Sequence, residues 1–207
     1  MKIPGVIIVV FAILAGSGCT VLPKPEEVAL YQLPETRLQA SDQTAAPWSL
    51  RIKTPQTNDA LNSKRLLVLT DANELSIYSG SRWTSPAPQL WQDYLVRAFL
   101  ADGRIARVST ASENLHADLE LSGTLRAFYA EADNNNLAVS IRFDATLADT
   151  ASRKIIASRS FMEREPVAKS GKDSNSAAVV AAFGVAADRV SAEILNWMLL
   201  QHSNKAE

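Results

Sequence analysis

Residues 117–147 read ADLELSGTLRAFYAEADNNNLAVSIRFDATL and contain the clearest structural pattern of the chain. Apolar and polar residues alternate along both halves, and three consecutive asparagines, 134–136, separate them. The apolar positions are Ala117, Leu119, Leu121, Leu125, Ala127 and Tyr129, then Leu137, Val139, Ile141, Phe143, Ala145 and Leu147. A period of two is typical of strands with one buried face, so the stretch predicts a long antiparallel hairpin. Gly123 is predicted to mark a bulge in the first strand.

Shorter elements are predicted on both sides of this hairpin. A third antiparallel strand is expected at 155–164, and other strands at 28–33, 48–54, 66–70, 74–78 and 104–108, with a turn at 79–81. One helix is expected to begin with Ser85 as its N-cap before Pro86 and to end near Ala101, just ahead of Gly103. A second helix is expected at 176–200. Its apolar stripe consists of Val179, Phe183, Ala187, Val190, Ile194 and Met198.

These elements predict an α+β fold: a two-layer sandwich in which two helices pack on one face of a mostly antiparallel or mixed sheet. The hydrophobic content of 47% is sufficient for a packed core, and the length fits one domain at residues 48–201. The formal net charge of -1 provides no electrostatic reason to expect a nucleic-acid partner.

The chain begins like a bacterial lipoprotein. A lysine and an apolar run precede Cys19, its single cysteine, so residues 1–18 are predicted to be a cleaved signal peptide. Cys19 is then expected to carry a diacylglyceryl group and an N-acyl chain such as palmitate. Gly16 stands where the usual lipoprotein motif has leucine, and ordinary secretory cleavage with a free thiol is the alternative. Residues 19–47, which contain four prolines, are predicted to be the lipidated N-terminus and a tether with one short strand.

Residues suited to catalysis or metal binding are few. His116 and His202 are expected to be solvated surface residues, and the carboxylate pairs Asp71 with Glu74 and Glu163 with Glu165 are better read as solvated groups than as acid/base pairs. The sequence contains no phosphate-binding glycine loop and no plausible zinc ligand set. We therefore predict a protein that is not an enzyme, with no catalytic residues, no metal and no cofactor besides the lipid on Cys19.

One short segment is a candidate partner-binding site. Residues 78–86 read YSGSRWTSP, and they place Tyr78, Arg82 and Trp83 around a predicted turn ahead of a helix. Arginine and tryptophan are enriched at interface hot spots, so this corner could bind a protein partner. The alternative is architectural: Trp83 would fill the gap between hairpin and helix, and Arg82 would pair with a nearby carboxylate.

The residues named above resemble the ABC-type transport auxiliary lipoprotein component family, the group of lipoproteins like paraquat-inducible protein C. The resemblance rests on Cys19, on the strand Leu30-Tyr31-Gln32-Leu33, on Arg82-Trp83-Thr84 and on the two helices. It implies an accessory lipoprotein of the Gram-negative envelope that faces the periplasm from the outer membrane. Its implied partners are an ABC permease, its ATPase and a mammalian-cell-entry (MCE) domain protein of an intermembrane lipid transport system. Thr20, and not aspartate, follows Cys19, which fits outer-membrane sorting.

Two other functions remain open at this point. The chain could be a general envelope assembly or structural lipoprotein without a transport partner, or a module that binds lipid directly. A homo-oligomer is also possible, because an MCE partner is expected to be ring-shaped.

Overall fold

The computed structural model describes residues 28–133, 136–168 and 175–203, and in them an eight-stranded mixed sheet carries two helices. The strands are β1 (Ala29–Tyr31), β2 (Leu50–Ile52), β3 (Arg65–Leu69), β4 (Leu75–Trp83), β5 (Val108–Thr110), β6 (Leu119–Asp133), β7 (Asn136–Asp149) and β8 (Lys154–Pro166). The helices are α1 (Ala87–Asp102) and α2 (Ser176–Ser203). The predicted α+β class is confirmed.

The long strand β6 organises the sheet because different partners occupy its two edges. One edge pairs with β7 along its full length, and β7 pairs in turn with β8, both antiparallel. The other edge pairs in parallel with β2 near its start and with β3 near its end. Outside β3 lie β4 and then β1, so β1 and β8 form opposite edges of the sheet.

The central hairpin is confirmed, but its irregularity is not at the predicted place. Gly123 is paired with Ala145 in regular register, whereas the register shifts between Leu125 and Ala127. Beyond the shift the alternation reverses, so Phe128 is buried in the core and Tyr129, predicted to be buried, is half-buried. Glycine is required at 123 for another reason: an added Cβ would lie 2.2 Å from the carbonyl oxygen of Asp144.

Both helices pack against each other and against the sheet around one core. The whole predicted stripe of α2 is buried, which confirms its orientation. Helix α1 ends as predicted, with Gly103 in the left-handed conformation and its N–H donating to the carbonyl of Phe99 at 3.1 Å. The predicted N-cap is wrong: Pro86 is extended and occupies the cap position, so the helix begins one residue after it and no side chain caps it.

Two predicted boundaries near β4 and β5 are also wrong. Residues 79–81 are not a turn, because they belong to β4, which continues to Trp83, and among them only Gly80 adopts a positive φ, of 67°. The strand predicted at 104–108 starts only at Val108, as β5. Before it, the carbonyls of Arg104 and Arg107 accept from the N–H groups of Ala46 and Leu50.

Residues 33–47 belong to the folded domain and not to a tether. Leu33 is buried in the core, and the backbone N–H groups of Ser41 and Ala46 donate to the carbonyls of Asp102 and Arg104. The prolines of this region exclude a helix, but they permit an extended chain that lies across the helical layer. We call residues 33–38 the strap.

Candidate binding surfaces at the sheet edges

Cys19 lies outside the described residues, and Val28 is the first residue that the structure describes. Cys19 precedes Val28 by nine residues. A chain of that length spans at most about 30 Å when fully extended. Any membrane that holds Cys19 therefore lies within this distance of β1.

The strap connects β1 firmly to both helices. Pro34 lies against Gly184 of α2 so closely that a Cβ at 184 would come within 2.8 Å of the proline ring. Glu35 forms an ion pair of 3.1 Å with Arg97 of α1. The absence of a side chain at Gly184 is therefore a packing requirement.

Asp188 of α2 forms the centre of a hydrogen-bond network beneath the strap. Its Oδ1 accepts from the hydroxyl of Tyr94 at 2.7 Å, from Oγ1 of Thr36 at 2.6 Å and from the backbone N–H of Arg37 at 3.1 Å. Burial and the hydrogen bond to this carboxylate raise the pKa of Tyr94 well above its ordinary value. Sequence analysis missed the network, because nothing local marks residues 36, 94 and 188 as partners.

Of the predicted corner residues, Trp83 is part of the core. Its side chain is 0% exposed, and its ring lies 5.7 Å from the ring of Phe128 and 5.3 Å, edge-on, from that of Phe183. This is the architectural role that the sequence left open. A partner cannot reach Trp83 on the folded domain.

Arg82 and Tyr78 lie at the surface of the same strand, Arg82 exposed and Tyr78 half-buried. Arg82 is directly opposite Leu30 of β1 on one side and Arg65 of β3 on the other. Within the described residues Arg82 and Arg65 form no ion pair, contrary to the expectation of a nearby carboxylate for Arg82. This row of residues is the exposed part of the corner.

The opposite edge of the sheet is β8, a strand of 13 residues whose outer side has no neighbouring strand in the described part of the chain. Ile155 and Met162 are exposed along it, by 68% and 57%. Glu163 and Glu165 both form ion pairs with Arg189 of α2, and Oε1 of Glu163 lies 2.6 Å from Nη1 of Arg189.

The other candidates for chemistry remain scattered. Asp71 and Glu74 are exposed at the β3–β4 turn, and His116 is exposed before β6. The side chain of His202 is outside the described set. Among the residues that the structure describes, no three histidine, cysteine or acidic side chains come together as a metal site. Neither helix of the described ranges combines the length and hydropathy needed to span a membrane.

The architecture defines a two-layer α+β domain that offers sheet edges, rather than an enclosed cavity, as its candidate binding surfaces. The chain belongs to the ABC-type transport auxiliary lipoprotein component family, whose sequence model matches residues 31–195. The family is a class of transport accessory proteins and not a class of enzymes, and its lipoprotein character places the chain at a membrane of the cell envelope.

Solved structures show the same fold. A protein from Xanthomonas campestris is similar with 28% identity and a TM-score of 0.75, over 86% of this chain and 99% of its own. A second, uncharacterized protein is similar with 21% identity and a TM-score of 0.64, over 84% and 99%. A search of curated proteins finds no match.

Proposed function

We propose that the protein is a non-enzymatic lipoprotein of the outer membrane that faces the periplasm and docks the MCE assembly of an ABC-type intermembrane lipid transport system. The observation that carries this proposal is the family match over residues 31–195, which covers β2 to β8, α1 and most of α2. The ABC permease and its ATPase would belong to the same system.

Cys19 supplies the attachment in this proposal, through a diacylglyceryl group and an N-acyl chain. Each buried methylene of such chains contributes roughly 0.8 kcal/mol, so several chains hold a protein stably on a membrane. The strap supports the role mechanically. Because Pro34, Thr36 and Arg37 are fixed to α2, a force applied at the N-terminus reaches the folded domain directly.

We place the docking surface for the MCE protein on the outer edge of β8. Strand β8 and strand β1 lie at opposite edges of the sheet. Because the chain leads from β1 back to the anchor, the outer edge of β8 points away from the attachment site. Its unpaired backbone groups can accept a strand of another protein, and Met162 provides an exposed apolar contact. The separate hypothesis that Tyr78 and Arg82 contact a partner concerns the opposite edge.

Capture of the full-length acylated protein from detergent-solubilised envelopes tests the proposal. We expect an MCE-domain protein to be recovered with it, and a photo-crosslinking residue in place of Met162 to react with that protein. The same residue in place of Leu115, which is 55% exposed against 57% for Met162, is the matched control and should not react.

Repeated capture without an MCE component, under conditions that keep the transporter intact, would contradict the proposal and favour a general structural lipoprotein. Recovery of the MCE protein with reaction at Leu115 and not at Met162 would retain the function but reject the β8 edge. Native mass spectrometry addresses direct lipid binding: a phospholipid retained by the protein after detergent exchange would support that alternative.

A further inference from the structure

The β1–β4 edge carries a patch in which apolar and basic side chains share one exposed face. Leu30, Arg82 and Arg65 are directly opposite one another on three neighbouring strands, so their side chains point to the same side of the sheet. Val28, two residues before Leu30, continues the apolar part, and Lys64 adjoins Arg65. We call these five residues the anchor-side patch. Leu30 is 67% exposed.

The charges of this patch are not neutralised within the described part of the protein. Arg65 and Arg82 face each other as a like-charge pair, an arrangement that destabilises a sheet. Several other arginines of the same sheet have carboxylate partners, as in the pairs of Arg51 with Glu120 and Arg126 with Asp144. Since no described carboxylate pairs with Arg65 or Arg82, an anionic surface close to them would relieve the repulsion between the two guanidinium groups.

The course of the chain indicates which anion is available. Strand β1 runs parallel to β4 and its start leads back through nine residues to Cys19, so the patch lies at the edge that a membrane anchor would hold. An extended segment of that length reaches at most about 30 Å. The acyl chains would thus keep a phospholipid surface, rich in phosphate, permanently near the patch.

We propose that the anchor-side patch rests on the phospholipid leaflet that holds the acyl chains of Cys19. Val28 and Leu30 enter the interfacial region, while Arg65, Arg82 and Lys64 bind the phosphates of anionic headgroups. Apolar residues flanked by basic ones suit this boundary, where one part of the surface is apolar and the other is charged. The proposal rests on the proposed attachment at Cys19, but it does not depend on the transport partner.

A fluorophore on residue 30 of the full acylated chain provides the test. Because Cys19 is the only cysteine and is acylated, Leu30→Cys introduces a single site for an environment-sensitive label such as NBD. The protein is reconstituted into vesicles of phosphatidylethanolamine and phosphatidylglycerol that contain nitroxide-labelled lipid. Ile155→Cys is the matched control, since residue 155 is 68% exposed and lies on the opposite edge of the sheet.

We expect a blue shift and nitroxide quenching at residue 30 and neither at residue 155. Arg65→Gln with Arg82→Gln should lower the ratio of docked to undocked domain about thirtyfold, since each basic residue near an anionic leaflet contributes about fivefold. High salt should act in the same direction. Arg153→Gln with Lys154→Gln removes the same charge near residue 155 and should leave the signal at residue 30 unchanged.

Equal signals at both positions, or a signal at residue 30 that survives the loss of Arg65 and Arg82, would overturn the proposal. A mass spectrum of the intact protein that shows no acyl groups would also overturn the proposal. A blue shift at residue 30 that appears only with an added protein partner would do the same. Nitroxide quenching at residue 30 together with failed capture of an MCE protein would reject the transport role and leave the membrane contact in place.

Discussion

Replacing Asp188 by alanine should detach the strap from α2. The substitution removes the acceptor of three hydrogen bonds, from Tyr94, Thr36 and Arg37, that join segments far apart in the chain. The contacts of Pro34 with Gly184 remain, so the strap should loosen and the core should stay packed.

The structure sets the size of the effect. A hydrogen bond to a charged group contributes about 1.5–3 kcal/mol, but the bonds from Thr36 and Arg37 lie near the surface, where water replaces the carboxylate. The hydroxyl of Tyr94 keeps the carbonyl of Gly184 as a weaker acceptor at 3.2 Å. We therefore expect Asp188→Ala to lower the free energy of unfolding by about 2–3 kcal/mol, roughly the value of one full bond and part of the others.

Urea denaturation measures this loss in a chain carrying Cys19→Ser, which avoids detergent. The fluorescence of the four tryptophans reports the transition, and one of them, Trp91, stacks 6.3 Å from the ring of Tyr94. The control is Asp93→Ala, because Asp93 is an exposed carboxylate of α1 whose bond to Gln89 stays within the helix; its effect should remain below about 0.5 kcal/mol.

A double-mutant cycle with Tyr94→Phe makes the test specific. The Tyr94–Asp188 pair should show a coupling free energy of about 1 kcal/mol or more, and hydrogen exchange at residues 35–38 should rise in Asp188→Ala before global unfolding. A loss no larger than that of Asp93→Ala, or a coupling near zero, would refute the view that this carboxylate holds the strap.

Three further outcomes follow from the same structure. Gly123→Ala should lower the free energy of unfolding by about 3 kcal/mol, because the added Cβ clashes with the backbone. Gly103→Ala should lower it by only about 1 kcal/mol, because residue 103 has open space around it and only its φ of 80° is unfavourable. Thermal denaturation compares the two variants. Trp83→Ala should lower it by about 3–5 kcal/mol, whereas Arg82→Gln should leave stability unchanged or slightly higher because it relieves a like-charge pair; equal losses would show that Arg82 is structural. Stability should fall as the pH rises above about 10, since the unfolded chain then loses the Tyr94 proton that the folded chain retains, and Tyr94→Phe should flatten this slope; an unchanged slope would assign it to other groups.

Periodicity predicted the long elements well because burial repeats regularly along them. The stripe of α2 is a clear case: residues three and four apart share a helix face whatever they pack against. The same logic failed past residue 125, where one extra residue in β6 reversed the alternation and placed Phe128, not Tyr129, in the core. No residue type near Arg126 announces that shift, since it depends on the pairing with β7.

The candidate binding surfaces were harder to predict from the sequence than the long elements. The sequence marks Tyr78, Arg82 and Trp83 as a distinctive group, but a tryptophan in a corner serves a core as readily as an interface. The repulsive pair of Arg82 and Arg65 is visible only in the strand pairing, where the segment from Ile77 to Arg82 of β4 lies opposite the shorter segment from Arg65 to Leu67 of β3. A sequence does not reveal such an irregular register.

The sequence by itself determined the α+β class, the two helices, the long hairpin and the membership suggested by Cys19 and the Arg82–Thr84 stretch. These properties are set by residues close together in the chain, through propensity, alternation and helical spacing. Only the tertiary structure decided that Trp83 is buried while Arg82 is exposed, that the strap is bound to Asp188, and that β1 and β8 are opposite edges. Each of these depends on contacts between distant segments, whose geometry is set when the sheet and helices close around a common core.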